Sequence, residues 1–249
     1  MTVTTFIFDV DGTLADTERD GHRVAFNKAF KAAGLDWDWS VELYGELLAV
    51  TGGKERIRFY LEKFNTAFAK PDDFDGFVAG LHASKTEFYT ELLATGAIPL
   101  RSGVKRLMAE SRAAGMRLAI ATTTTPANVT ALLGACFAPD AESWFEVIAA
   151  GDIVPAKKPA HDIYTYAMAQ MKVSPEECVA FEDSENGIKS SVGAKLKTVV
   201  TINEYTKDHD FTDALIVLDQ LGDPGDPMTV LEGKSDAEFV TVDLVKSLV

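Results

Sequence analysis

The first strong signal in the chain is a strand with no local partner. Residues 5–10 (TFIFDV) form a short apolar, aromatic run that breaks at Asp11-Gly12, the pattern of a buried strand ending in a turn. No second strand signal appears between residues 18 and 94. That stretch carries helical spacing instead. Phe26, Ala29, Phe30 and Ala33 fall at i, i+3, i+4 and i+7, with Gly34 at the stop. Ser40 is placed to cap a second helix through Leu43 and Leu47. Ile57, Tyr60, Leu61 and Phe64 repeat the spacing, and Phe74, Phe77, Val78, Leu81, Phe88 and Leu92 mark a longer helix.

After Pro99 the pattern alternates. Strands are expected at residues 117–121, 145–149, 178–181, 197–202 and 215–218, with helical spacing between most of them and Pro126 at a first helical position. Strands alternating with helices argue for a parallel α/β sheet. The first strand needs partners, so it must belong to that sheet, and the helical stretch is then an insertion. The expected organisation is a core in two pieces, residues 1–15 and 98–249, with a helical cap of residues 16–97 between them. The segment after Gly222 reads as a loop and a poorly defined C-terminal segment.

Composition narrows the functional classes. The chain has 249 residues, 47% of them hydrophobic and 25% charged, which suits a folded globular protein with a sizeable core. Lys+Arg 24 against Asp+Glu 38 gives a net charge of −14, a field that repels nucleic acid and anionic membranes. An anionic substrate would need cations, and a metal, to reverse that field locally. Two cysteines, Cys136 and Cys178, make no metal-binding spacing and suggest a reducing compartment. No apolar run approaches the ~18 residues of a spanning helix, and the N-terminus lacks a basic region and a secretory cleavage site. The expected location is the cytoplasm, or a plastid stroma if a transit peptide has been removed, and the expected state is a monomer.

Ligands of open parallel sheets sit beyond the carboxyl ends of the strands. Here those ends carry Asp9-Val-Asp11-Gly-Thr13, Thr122-Thr-Thr-Thr125 and Glu182-Asp183-Ser184, with Lys157-Lys158-Pro159 ahead of the last strand. Carboxylates, hydroxyls and a lysine on one rim are what Mg²⁺-assisted phosphoryl transfer requires. A carboxylate nucleophile would form an aspartyl-phosphate, with a neighbouring carboxyl as general acid and then base. GGKER at residues 52–56 is not a phosphate-cradling GxxxxGK[ST] loop.

FDVDGTLADTE resembles the first motif of the haloacid dehalogenase-like superfamily. Thr122 after an apolar strand, Lys158 in KKPAHDIY and Glu182-Asp183 in FEDSENGI follow in the same order. The resemblance implies a Rossmann-like parallel core with an inserted helical cap, Asp9 as nucleophile and Asp11 as acid/base. It implies that Thr122 and Lys158 hold the transferring phosphoryl group. Asp9, the Asp11 main-chain carbonyl and Asp183 would bind Mg²⁺, with Glu182 supporting directly or through water. One departure is Ala160-His161, where the related pattern has Asp-Pro; little effect on the chemistry is expected, because the lysine and the following helix remain.

DTERDGHRVAFNKAF, LYGELLAVTGGKERI, AGLHASKTEF and GDIVPAKKP are similar to the CbbY-like phosphatases of xylulose-1,5-bisphosphate. That resemblance implies hydrolysis to xylulose 5-phosphate and phosphate, which relieves inhibition of Rubisco without requiring contact with it. A bisphosphate needs a second set of cations in the cap. Gly52, Gly53, Lys54 and Arg56 offer amides and charge at a helix start. Lys85, His22, Glu18, Tyr44 and Thr123 complete the expected substrate contacts. The alternative function is a β-phosphoglucomutase-like phosphomutase, or a phosphatase of another sugar phosphate.

Overall fold

A computed structural model describes residues 2–249; Met1 of the N-terminal reading lies outside them. β1 (Thr5–Phe8) occupies the middle of a seven-stranded sheet of order β3-β2-β1-β4-β5-β6-β7. Its neighbours are β2 (Arg117–Thr122) and β4 (Cys178–Glu182), both parallel, with Phe8 level with Ile120 on one side and Phe181 on the other. β3 (Val147–Ala150), β5 (Lys197–Thr201) and β6 (Ile216–Leu218) extend the parallel sheet. β7 (Val230–Glu232) closes one edge antiparallel to β6. The isolated first strand does find its partners beyond residue 98.

The two-residue period of β1 assigns its faces. Phe6 and Phe8 enter the larger core and meet Phe181 at ring-centroid distances of 5.2 and 4.5 Å. Ile7 points the opposite way, into a second core against Ile163, Tyr164 and Ala167. Both faces of a parallel sheet must be covered, and that is why the middle residues of its central strands are apolar on both faces.

Between β1 and β2 lie a π-type turn (Glu18–His22) and the helices α1 (Arg23–Ala32), α2 (Val41–Leu47), α3 (Gly53–Lys63), α4 (Phe74–Ala94) and α5 (Val104–Ala113). Ser40 caps α2 by accepting from the Leu43 amide, as its position predicted. The first four helices share an aromatic core of Phe26, Phe30, Trp37, Trp39, Tyr44 and Tyr60. Leu14 and Ala15 leave the sheet beside Leu100 and Arg101, which return to it: the Arg101 amide donates to the Leu14 carbonyl at 2.9 Å.

The remaining helices are α6 (Pro126–Cys136), α7 (Asp162–Met171), α8 (Glu185–Gly193) and α9 (Val242–Ser247). Pro126 opens α6 with Thr125 as its cap. Several strand boundaries differ from the sequence expectation by one or two residues. β3 begins at Val147 rather than 145, because Ala141–Trp144 forms a 3₁₀ turn in which the Phe145 amide donates to the Glu142 carbonyl. β5 ends at Thr201 and β6 begins at Ile216. The C-terminal segment is ordered: β7 pairs with β6, and Val240, Val242 and Val245 enter the main core. None of the described helices is long and apolar enough to cross a membrane.

Candidate active site

The register places the ends of β1, β2 and β4 side by side, so their next residues share one rim. Asp9 continues β1, and its amide donates to the Phe181 carbonyl at 3.0 Å. Lys158 reaches in from the loop before α7. Its ammonium lies 2.7 Å from Asp9 Oδ1 and 2.6 Å from Glu182 Oε1, and all three residues are buried. Glu182 Oε1 also accepts from the Tyr164 hydroxyl at 2.5 Å. Asp183 follows and accepts from Asn203 Nδ2 at 2.6 Å. Thr122 ends β2, buried on the same rim.

Asp9, Glu182 and Asp183 each turn a carboxylate oxygen into one cluster, mutually within 4.8 Å. Burial pushes the Asp9 carboxyl up to about 7 although Lys158 pulls it down, and Glu182 and Asp11 add to the rise. Asp183 is held well above the usual carboxylate range by burial and then by Asp9 and Glu182. Burial alone would lower Lys158, but Asp9 and Glu182 together raise it. Three buried carboxylates around one ammonium cannot all ionise cheaply. Glu182 Oε2 is buried with no hydrogen-bond partner among the described residues. An all-oxygen donor set with a surplus of negative charge fits a hard divalent cation.

The Asp11 side chain lies outside that cluster. Its Oδ1 accepts from Thr17 at 2.5 Å and meets His22 Nε2 at 2.8 Å, while Lys85 Nζ lies 2.7 Å from His22 Nδ1. Burial opposes the Asp11 charge, but His22 and the Thr17 hydroxyl outweigh it and hold the carboxyl below its usual range. Lys85 is itself lowered to about 8, chiefly by burial.

Two adjoining cavities meet at Asp11, Glu18, Arg56 and Thr123. One, of about 300 Å³, contains Asp9, Thr122, Lys158, Glu182 and Asp183. The other, of about 460 Å³, contains Gly52, Gly53, Lys54, His22, Lys85 and Lys157. Carboxylates predominate in the first, whereas in the second the four cations Lys54, Arg56, Lys85 and Lys157 outnumber Asp11, Glu18 and Asp152 by one.

The cations in the second cavity are already engaged. Lys54 pairs with Asp152, which also meets Lys157 at 2.8 Å. Arg56 donates to the Tyr44 hydroxyl at 2.6 Å, and that hydroxyl donates to Glu18 at 2.5 Å. Tyr44, expected at the cleft, lines neither cavity. Its ring is wholly buried against Phe26, Trp39 and Tyr205, and only its hydroxyl serves the site, from behind Arg56. The helical segment sits directly on the rim: Thr51 donates to the Lys158 carbonyl, and Asn186 donates to the Ala49 carbonyl.

The model of the haloacid dehalogenase-like hydrolases matches residues 3–194. The chain belongs to this hydrolase family. It is 49% identical over 214 residues to the protein CbbY of Rhodobacter capsulatus, covering 86% of this chain and 92% of that one. The fold matches crystal structures of CbbY from Rhodobacter sphaeroides. One, in complex with phosphate, is 47% identical with TM-score 0.82. Another, a mutant in complex with xylulose-(1,5)bisphosphate, is 46% identical with TM-score 0.82. Each match covers 88% of this chain and 94% of the other.

Sequence reasoning missed several residues that shape the hydrolase site. Tyr164 fixes Glu182, and Asn203 fixes Asp183. Gly12, at φ +81°, lets Asp183 approach: a Cβ there would lie 2.1 Å from Asp183 Oδ2. The Asp-Gly turn signal announced Gly12, but nothing local announced Asn203 or Tyr164. His161 lies outside both cavities, near Thr165 of α7, where its Nδ1 meets the hydroxyl at 3.1 Å.

Proposed function

We propose that the protein is a Mg²⁺-dependent phosphatase of sugar bisphosphates, with xylulose-1,5-bisphosphate as its substrate. The observation that carries this reading is the pair of joined cavities, one built from Asp9, Lys158 and Asp183 and the other from Lys54, Lys85 and Lys157. A sugar with a phosphate at each end suits both. The complex of a related CbbY with that bisphosphate supports the choice of sugar.

Asp9, Asp183 and the Asp11 carbonyl would hold Mg²⁺, with Glu182 in support. When bound, the ion neutralises carboxylate and phosphate charge and polarises the phosphoryl oxygens. A carboxylate oxygen of Asp9 attacks phosphorus, and the bond from phosphorus to the sugar oxygen breaks. Asp11, held as a carboxylate beside His22 and Thr17 before substrate binds, takes up a proton from His22 or solvent as the anionic substrate approaches, and donates it to that departing oxygen. Asp11, now a carboxylate, takes a proton from water as the water oxygen attacks phosphorus. The Asp9–phosphorus bond breaks, and phosphate leaves with the Asp9 carboxylate restored. Lys158 and Thr122 stabilise the transferring group, the lysine by charge.

Residues 16–97 act as a cap on a core of residues 1–15 and 98–249. Lys54, Arg56, Lys85 and the Gly52-Gly53 amides receive the phosphate that is not cleaved. Contacts at that remote group stabilise closure and exclude water during the first step. The product, xylulose 5-phosphate, leaves with removal of an inhibitor of Rubisco, and no contact with Rubisco is required.

The test is phosphate release from a panel of pentose and hexose mono- and bisphosphates, with and without Mg²⁺. The expected result is Mg²⁺-dependent release with the highest kcat/KM on xylulose-1,5-bisphosphate. Isomerisation of a hexose phosphate without phosphate release would establish the mutase alternative instead.

A further inference from the structure

We propose that Arg101 is a positioning residue for the cation site, clamping the two loops between which Asp183 is held. The inference rests on the assignment of Asp183 to the metal in the proposed function.

Arg101 lies where the chain returns from the helical segment, and its side chain is only 8% exposed. One guanidinium nitrogen, Nη1, donates to the Gly12 carbonyl, to the Thr201 carbonyl at 3.0 Å and to the Thr201 hydroxyl at 3.2 Å. The other, Nη2, donates to the Ile202 carbonyl and to the Asp219 carbonyl at 2.8 Å. A single planar fork thus joins the segments that follow β1, β5 and β6. Lysine, with one ammonium on a flexible stem, cannot span them.

Two of these grips bear on Asp183. Gly12 forms one wall, close enough that a Cβ would stand 2.1 Å from Asp183 Oδ2. Asn203, the residue after Ile202, forms the other and donates to the same oxygen at 2.6 Å. Movement of either loop would move the carboxylate. The Arg101 charge is buried among carbonyl oxygens, and its nearest acid, Asp16, is 3.6 Å away and largely exposed. Burying a cation this way is expensive, and an apolar side chain would pack a linker at lower cost. The expense is accounted for if the fork holds a functional carboxylate in place.

Calorimetric titration of the full chain with Mg²⁺ alone tests this. R101K and R101A are expected to bind Mg²⁺ about 10- to 100-fold more weakly, the range found when outer-shell partners of a metal ligand are removed. R106A is the control. Arg106 donates to the Gly222 carbonyl at 2.7 Å, away from the loops that wall Asp183, and its loss is expected to leave Mg²⁺ affinity unchanged. Circular dichroism verifies folding, and R101K carries the test if R101A does not fold. A folded R101K with unchanged Mg²⁺ affinity, or an equal loss in R106A, overturns the role of Arg101 and leaves the proposed function standing. No saturable Mg²⁺ binding by the unsubstituted protein would overturn both.

Discussion

Gly187 leaves the space that Glu182 occupies: a Cβ at position 187 would stand 1.9 Å from Glu182 Oε2. The first turn of α8 therefore packs directly on the carboxylate that Lys158 and Tyr164 hold from the other side. Ser184 fixes this turn by accepting from the Gly187 amide at 3.2 Å.

This contact reverses the ordinary effect of a helix substitution. Gly→Ala inside a helix normally gains about 1 kcal/mol. Gly187→Ala is expected to destabilise by about 1–3 kcal/mol, the usual cost of overpacking, and to lower phosphate release as Glu182 shifts away from Lys158. Thermal unfolding and turnover measured on the same preparation check both effects. A gain in stability with full activity would show that the carboxylate has room to move.

Lys158 is the one ammonium in contact with Asp9 and Glu182 among the described residues. Lys158→Met strands two buried carboxylates and is expected to cost about 3–5 kcal/mol and to abolish phosphate release. Adding Glu182→Gln should recover part of the stability and none of the turnover. Chemical denaturation of the single and double variants measures the recovery.

Lys54 reaches across to Asp152 at the mouth of the cationic cavity. Lys54→Ala is expected to reduce kcat/KM for the bisphosphate by about 10- to 100-fold, the worth of a hydrogen bond to a charged group. The loss on a monophosphate should be much smaller. Equal losses on both substrates would remove Lys54 from the second phosphate.

His82 provides a test by pH. Burial first, and then Lys85, Lys54 and Lys157, lower its imidazole to about 3. The folded protein therefore keeps His82 neutral, while the unfolded chain protonates it near the ordinary value of about 6.5. The resulting stability is present above that value and is lost as pH falls from about 6.5 towards 3. For this partly exposed ring the loss between pH 7 and pH 5 is expected to be about 1 kcal/mol, roughly half the full linkage value. His82→Gln should flatten that part of the profile in urea unfolding at the two pH values. An unchanged acid loss would contradict it.

Legibility in the sequence followed the range of each interaction. β1 and its separation from the sheet were readable because strand and helix periods are local, and the carboxylates of Asp9, Asp11, Glu182 and Asp183 fell at strand ends. Arg101 was not readable, because its role lies in carbonyls spread from Gly12 to Asp219 that carry no residue signature. Lys54 was singled out as a cation, but its pairing with Asp152 depends on a separation of 98 positions. Tyr44 was named among the expected substrate contacts; its ring joins the aromatic core of the helical segment, and only its hydroxyl meets Arg56 and Glu18. β7 was missed because Val230–Glu232 is short and partly polar, and its pairing with β6 is made across the loop of residues 219–229.

The most direct test of the central claim is acid quenching during turnover, followed by mass analysis of the peptide containing Asp9. A phosphoryl group is expected on Asp9 during steady-state hydrolysis, and neither that adduct nor phosphate release from Asp9→Asn. Undiminished phosphate release by Asp9→Asn would contradict it.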